Sequence, residues 1–485
     1  MLREVKVEEG FLKGIQAADP RITVFKGIPF AEPPVNNLRW TAPQPAKKWK
    51  GVRKCYEFSA VPIQPAAIPN PPDEDLYGKE WCVDTELPMS EDCLYLNVWT
   101  PAKNADEKLP VYFWIFGGGW QNGNSAEMEF DGERIARRGI VVVTINYRVN
   151  LFGFIGHKEI TKEHPEAPAN FGLLDQQFAL KWVYKNINAF GGDCENITIG
   201  GQSAGGGSVL FQLCNSESRK YFKRAVIESG LFYNPYRKMF PKYTVEDAEN
   251  IGKEFFEFCG VKTLKEARKL SSDFLWKKWS EWGGYGKSIQ MFLPVYENLF
   301  IKGDIYDMLE KENLELPPIF CGYTTDEFLD SATPENKETL QNTIKLGIER
   351  LLEIEEKKGL KNINYVYKFD VPIPGWDNPG KFHSVDLWFF FETLAKCWRP
   401  FTGVHYDMAR KMCNYMCNFI KTGNPNDDGS KSGLAKSSGI KYIPHKEEFI
   451  LRQKEEEEIL PEWKPCTKKD PNCMIFTTDC RLEKL

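Results

Sequence analysis

Ile197-Thr198-Ile199-Gly200-Gly201-Gln202-Ser203-Ala204-Gly205-Gly206-Gly207 is the stretch on which the reading of this chain turns. A β-branched run leads into two glycines, a lone serine and three more glycines, and an apolar pattern of helical spacing then runs to Cys214. Where a strand turns sharply into a helix the two segments pass closely, so the flanks must be small. A serine at the tip of such a turn has a strained backbone, an exposed hydroxyl and a helix N-terminus aimed at whatever it attacks. Gly201-Gln202-Ser203-Ala204-Gly205 matches G-x-S-x-G. Its context, strand before and helix after, separates it from ordinary glycine-rich turns.

Outward from that turn, strands and helices alternate. Val111–Phe116, Ile140–Asn146, Ile197–Ile199 and Arg224–Glu228 read as buried strands, with Gly200-Gly201 ending the third. Leu173–Phe190 and Ser203–Cys214 read as helices between them. Further strands are expected at Pro318–Gly322, Tyr365–Asp370, Phe449–Arg452 and Met474–Thr478, with a long helix over Tyr406–Lys421. Continuous apolar strands separated by helices predict an α/β fold: a central, mostly parallel sheet covered on both faces. The Lys/Glu- and aromatic-rich stretch Tyr243–Phe292 predicts a helical insertion over the active site, and the polar stretch Asp427–Ser438 a surface loop. Residues 1–485 contain no repeat and no linker, so a single domain is expected.

A serine attacking a carbonyl builds negative charge on the oxygen, which needs preorganised donors. Gly117-Gly118-Gly119 follows the strand ending at Phe116. The N–H groups of Gly118 and Gly119, with that of Ala204, are the expected oxyanion hole. No Lys-Ser/Thr follows those glycines, which excludes a phosphate-binding P-loop. The base must be one of five histidines. His383 lies in a turn-rich loop (Pro374–Phe382) beyond a late strand, where a base belongs when the order is nucleophile, acid, base. His405 sits at the start of a helix, where surface or packing work is expected. His157, His164 and His445 stand beside Lys or Glu and read as solvated. The acid is expected after the strand at Pro318–Gly322, where Asp326 and Glu327 are equally placed by pattern.

Bulk composition excludes other classes. Net charge is −5 with no long basic stretch, so no nucleic acid or anionic membrane partner is expected. Thirteen scattered cysteines lack metal-ligand spacing. Even Cys413/Cys417 and Cys466, Cys473 and Cys480 read as buried free thiols, with no metal and no cofactor. The opening stretch Met1–Lys6 carries no secretory pattern, and a cytoplasmic location is expected.

Together these residues resemble the type-B carboxylesterases, the α/β-hydrolase group that includes cholinesterases and fungal lipases. The likeness runs through Gly27–Pro34, Leu38-Arg39-Trp40, Glu91–Val98, Asn146-Tyr147-Arg148, Leu174-Asp175-Gln176 and Phe190–Asp193. It implies that Glu327 is the acid of a Ser203–Glu327–His383 triad. It also implies structural ion pairs Arg39–Glu91 and Arg148–Asp175. Phe116 stands where many members carry histidine. Gln202 replaces the glutamate of cholinesterases, which argues against a cationic choline substrate. Cys93 matches a disulfide position, but Cys55 and Cys82 are both imperfect partners.

The expected activity is hydrolysis of small-molecule carboxylic esters, of short or medium acyl or aryl type, hydroxycinnamoyl esters included. Trp120, Phe116 and Gln202 are expected at the substrate, and Trp376, Trp388, Phe389 and Phe390 are divided between pocket and core. A lipase with Ser59–Cys93 as its lid is the alternative, but that segment is Pro-rich and acidic rather than amphipathic. A catalytically silent binding protein on the same scaffold is disfavoured by the intact triad.

Overall fold

A computed structural model describes residues 1–66, 71–72, 75–81, 86–233, 243–283, 292–303, 305–312, 314–329, 332–429 and 460–485. In chain order the strands are β1 (Glu4–Lys6), β2 (Phe11–Lys13), β3 (Ile15–Gln16), β4 (Thr23–Pro29), β5 (Val52–Lys54), β6 (Tyr95–Thr100), β7 (Leu109–Ile115), β8 (Val141–Ile145), β9 (Gly192–Gln202), β10 (Arg224–Glu228), β11 (Ile319–Thr324), β12 (Asn364–Phe369), β13 (Asn472–Phe476) and β14 (Cys480–Lys484). Among the described residues β1, β2 and β5 form a small sheet. The rest form one sheet in the order β14-β13-β12-β11-β10-β9-β7-β8-β6-β4-β3.

From β8 across to β13 every neighbouring pair is parallel, while β14 at one edge and β6, β4 and β3 at the other are antiparallel. The central strands β8 and β11 are buried along their whole length and mostly apolar, because helices cover both faces of the sheet. The antiparallel strands β4 and β6 were not foreseen. Nor was the 22-residue helix Lys337–Lys358, whose buried Ile344, Ile348, Leu351 and Leu352 follow helical spacing and which ends on Gly359. The expected strand Phe449–Arg452, His445 and the far end of the Asp427–Ser438 loop lie outside the described residues.

One correction follows from close packing. Gly200-Gly201 does not end its strand, since β9 runs on to Gln202. A Cβ on Gly200 would overlap the Tyr112 ring, and one on Gly201 would overlap the backbone of Gly205. These glycines answer crowded neighbours within a continuing strand.

The insertion is helical, over Val245–Phe258, Leu264–Ala267 and Ser272–Glu281, the first two opened by capping boxes at Thr244/Asp247 and Thr263/Glu266. Its apolar faces build a second cluster around Trp40, Phe152, Phe255, Phe256 and Trp279, distinct from the sheet core. Trp120 packs against both. Among the described residues no helix is long and apolar enough to cross a membrane.

Candidate active site

Parallel strands deliver their C-terminal ends to one edge of the sheet, where loops can converge. β9 ends at Gln202, paired with Glu228 at the end of β10. Gly201 pairs with Ile115 at the end of β7. Ser203 follows in a backbone conformation of φ 54°, ψ −125°, and the helix Ala204–Cys214 starts at the next residue. A non-glycine residue at positive φ is strained by about 1–3 kcal/mol and persists only where its surroundings hold it. Here Ser203 N–H donates to Glu228 O at 2.9 Å, and its carbonyl accepts from Gly207 N–H at 2.8 Å. Gly205 must lack a side chain, because a Cβ would overlap Ile115 O.

Glu327 and His383 meet Ser203 there. Ser203 Oγ stands 2.8 Å from His383 Nε2. The opposite ring nitrogen, Nδ1, hydrogen-bonds Glu327 Oε2. An ionised carboxylate can only accept, so it fixes the proton on Nδ1 and leaves Nε2 free to accept from the serine hydroxyl. Glu327 is 0% exposed. Its other oxygen, Oε1, accepts from Ser229 Oγ at 2.5 Å and from Thr324 N–H at 2.9 Å. Asp326, equal to Glu327 by pattern, does different work. Its Oδ2 accepts from Lys381 N–H at 2.8 Å, and a β-bridge joins it to Phe382, so it anchors the loop that carries His383.

The glycine loop touches the serine turn: a Cβ on Gly117 would lie 3.1 Å from Ser203 Cβ. Gly118 and Gly119 have φ of +94° and +63°, open to glycine at no steric cost. Among the described residues their N–H groups meet no acceptor. Ala204, first residue of its helix, has an N–H that no intrahelical carbonyl can meet. Among the described residues, all three donors are therefore free for a ligand.

The three residues expected at the substrate diverge. Trp120 is partly exposed, with φ 60°, and its Nε1–H donates to Ser208 Oγ at 2.9 Å. A Cβ on Gly207, one turn after the serine, would stand 3.0 Å from the Trp120 ring and 3.5 Å from the Phe232 ring. Gln202 lies beside His383 instead: its amide Nε2 is 3.3 Å from His383 Nε2 and donates to Ser384 Oγ at 2.7 Å. Phe116 needs correction. It is 1% exposed and stacked on Tyr147 at 4.2 Å, a core residue with no face left for a substrate. The aromatic run near His383 also divides: Trp388, Phe389 and Phe390 are core, whereas Trp376 is 65% exposed.

Sequence reasoning missed Ser229, Ser384, Phe328 and Asp386. Ser229 directly follows β10, and proximity to a strand's C-terminal end was the signal available. Glu228 and Asp386 are fully buried beneath the triad. Burial raises the Glu228 carboxyl well above the ordinary range, with the Asp386 charge adding to it, and pushes Asp386 up to about 7. Among the described residues both Glu228 oxygens and Asp386 Oδ1 lack hydrogen-bond partners, while Asp386 Oδ2 accepts from Tyr367 Oη–H at 2.7 Å.

The expected scaffold pairs are present. Arg39 holds Glu91 with two 2.6 Å hydrogen bonds, and Arg148 holds Asp175 at 2.7 and 2.8 Å. Cys93 and Cys55 are both buried free thiols, and Cys82 lies outside the described residues. His157 departs from expectation: it is buried, stacks on Phe256 and caps the helix Lys158–Glu163. His405 is likewise buried, its ring capping the helix Gly403–Thr422. No group of metal-ligating side chains occurs among the described residues.

The profile of the carboxylesterase family matches residues 2–356. The chain belongs to that family. It is 28% identical over 494 residues to the acetylcholinesterase of Bungarus fasciatus, covering 89% of this chain and 80% of that one. A shorter alignment with the fumonisin B1 esterase of Sphingopyxis macrogoltabida is 39% identical, covering 46% of this chain and 38% of the esterase. Among solved structures, the Geobacillus stearothermophilus carboxylesterase EST55 superposes with a TM-score of 0.77 at 26% identity, covering 99% of this chain and 97% of that one. A thermophilic pNB esterase gives 0.76 at 25% identity, covering 100% and 98%. This carboxylesterase-family chain has the α/β-hydrolase fold and is a carboxylic ester hydrolase.

Proposed function

We propose that this family member is a serine carboxylesterase working through an acyl-enzyme. The observation that carries the reading is the unbroken line Ser203 Oγ, His383 imidazole, Glu327 carboxylate. His383 Nε2 takes the Ser203 proton as Oγ attacks the ester carbonyl, and the oxyanion is met by the N–H groups of Gly118, Gly119 and Ala204. The imidazolium, balanced by Glu327, gives its proton to the departing alcohol. Water, deprotonated by His383, then attacks the acyl-enzyme; Ser203 regains its proton and the carboxylic acid leaves. No step calls on a metal or cofactor. Ser203→Ala is expected to lower kcat by about 10⁴–10⁶ and to abolish labelling by a serine-directed phosphonate. Retained hydrolysis in that variant overturns the reading.

The partly exposed aromatics Trp120, Phe232 and Phe328 lie around the nucleophile. They support short or medium acyl and aryl esters as substrates, hydroxycinnamoyl esters included. A higher kcat/KM on aryl than on aliphatic esters of equal size is expected, and the reverse order counts against it. The free buried thiols support a reducing, cytoplasmic setting.

A further inference from the structure

Phe328 directly follows the acid of the triad, and its backbone has φ 54°. Glycine, or at most a small polar residue, takes that conformation without penalty; a bulky aromatic does so only when its surroundings force it. Glu327 cannot shift to relieve the strain, because Thr324 N–H, Ser229 Oγ and His383 Nδ1 all hold its carboxylate. A strained residue between acid and base calls for a functional explanation.

The ring supplies one. Its centroid lies 4.0 Å from that of the His383 imidazole, with the planes 33° apart. The imidazole is thus bounded on one edge by Glu327, on the other by Ser203, and on one face by Phe328. The Phe328 ring also meets Phe232, with centroids 6.3 Å apart. Phe328 is partly exposed, so one part of the ring borders the site while another packs on the sheet core.

This inference rests on the serine-esterase reading above. We infer that Phe328 is a positioning residue, whose ring face holds the His383 imidazole in the Glu327–Ser203 line and stabilises it when it becomes imidazolium. Aromatic faces attract cations, and the attraction grows where water is excluded. His383 is 5% exposed. Before the serine proton moves, the ring only restrains the imidazole. Once the imidazole carries the serine proton, the same contact opposes a positive charge with the electron-rich face. The contact therefore strengthens along the reaction coordinate, so its loss is felt in kcat rather than in substrate affinity.

The test compares Phe328→Tyr, Phe328→Leu and Phe328→Gly with the parent on a small acetyl ester. Tyrosine keeps the ring. Leucine keeps apolar bulk without a π face, and glycine relieves the backbone, so at least one ringless variant folds. The expected result is kcat within about twofold of the parent for tyrosine, and about tenfold lower for leucine and glycine with KM changed by less than about twofold. If either folded ringless variant keeps the parent kcat, or if tyrosine falls as far as leucine, the inference is overturned. Ser203→Ala run alongside separates the two readings: retained activity there sinks the serine mechanism itself. A silent serine variant beside an unaffected Phe328→Gly sinks only the role of the ring.

Discussion

Glu228 and Asp386 lie under the triad as two buried carboxyls, and burial pushes Asp386 up to about 7. A free aspartate ionises near 4, so between about pH 4 and 7 the folded chain holds a proton at Asp386 that the unfolded chain has released. Stability must then fall as pH rises through that window and level off above it. Asp386→Asn removes the titration while leaving an oxygen to accept from Tyr367. Relative to the parent it is expected to gain stability between pH 4 and 8, by up to about 4 kcal/mol, read from urea midpoints at the two pH values. An unchanged difference would mean Asp386 ionises freely in the fold. Gln202 gives a second prediction at this scale. Its neutral amide faces His383 Nε2, so Gln202→Glu places a negative charge beside the ring and favours imidazolium. The acid limb of the kcat/KM profile is expected to move to higher pH, since the base must be neutral to act.

Elements hold the site through a few crowded crossings and buried ion pairs. The helix Ala204–Cys214 rests on β7 at Gly205 with no room for a methyl group. Gly205→Ala is expected to cost at least about 1–3 kcal/mol and to displace the serine, so activity falls even in the fraction that stays folded at 20 °C or below. Arg148–Asp175 ties the chain after β8 to the helix Phe171–Asn186, and both side chains are buried. Asp175→Ala leaves the guanidinium unpaired in the core, an expected loss of about 3–5 kcal/mol measurable by chemical denaturation. Replacing both partners with apolar residues of similar volume should recover much of that loss, because the cost lies in the orphaned charge.

Across the whole molecule, residues far apart in sequence share one sheet and one core. Ser203 and Glu327 follow strand ends at residues 202 and 324, His383 lies in a loop beyond residue 369, and Ser229 after residue 228 holds Glu327. The helical insertion has its own apolar cluster, yet Trp120, next to the glycine loop, packs against both clusters. We propose that the two clusters belong to one domain, in which case near-UV and far-UV signals are expected to fall in the same unfolding transition. Separate transitions for the two clusters would contradict that expectation. Ending the chain after residue 356, where the family profile stops, removes β12, β13, β14 and His383. Such a chain is expected to expose the edge of β11 and to aggregate without activity.

Much of this was legible in the sequence because it rests on local rules. A glycine-flanked serine between a β-branched run and a helical pattern has few backbone solutions, and apolar runs of strand length between helices predict a parallel sheet. Ser203, the glycine loop and the preference for His383 over four other histidines came from such patterns, and the fold brings Ser203 and His383 within a hydrogen bond. Asp326 and Glu327 could not be separated that way. Adjacent carboxylates look alike until the fold aims one at His383 Nδ1 and the other at Lys381 N–H. Phe116 and His157 were misread for a related reason, since burial is a property of neighbours that arrive from elsewhere in the chain. The local sequence determined which groups could do chemistry. The tertiary structure alone decided which were brought within a hydrogen bond of one another, because those distances are set by packing between segments that share no sequence proximity.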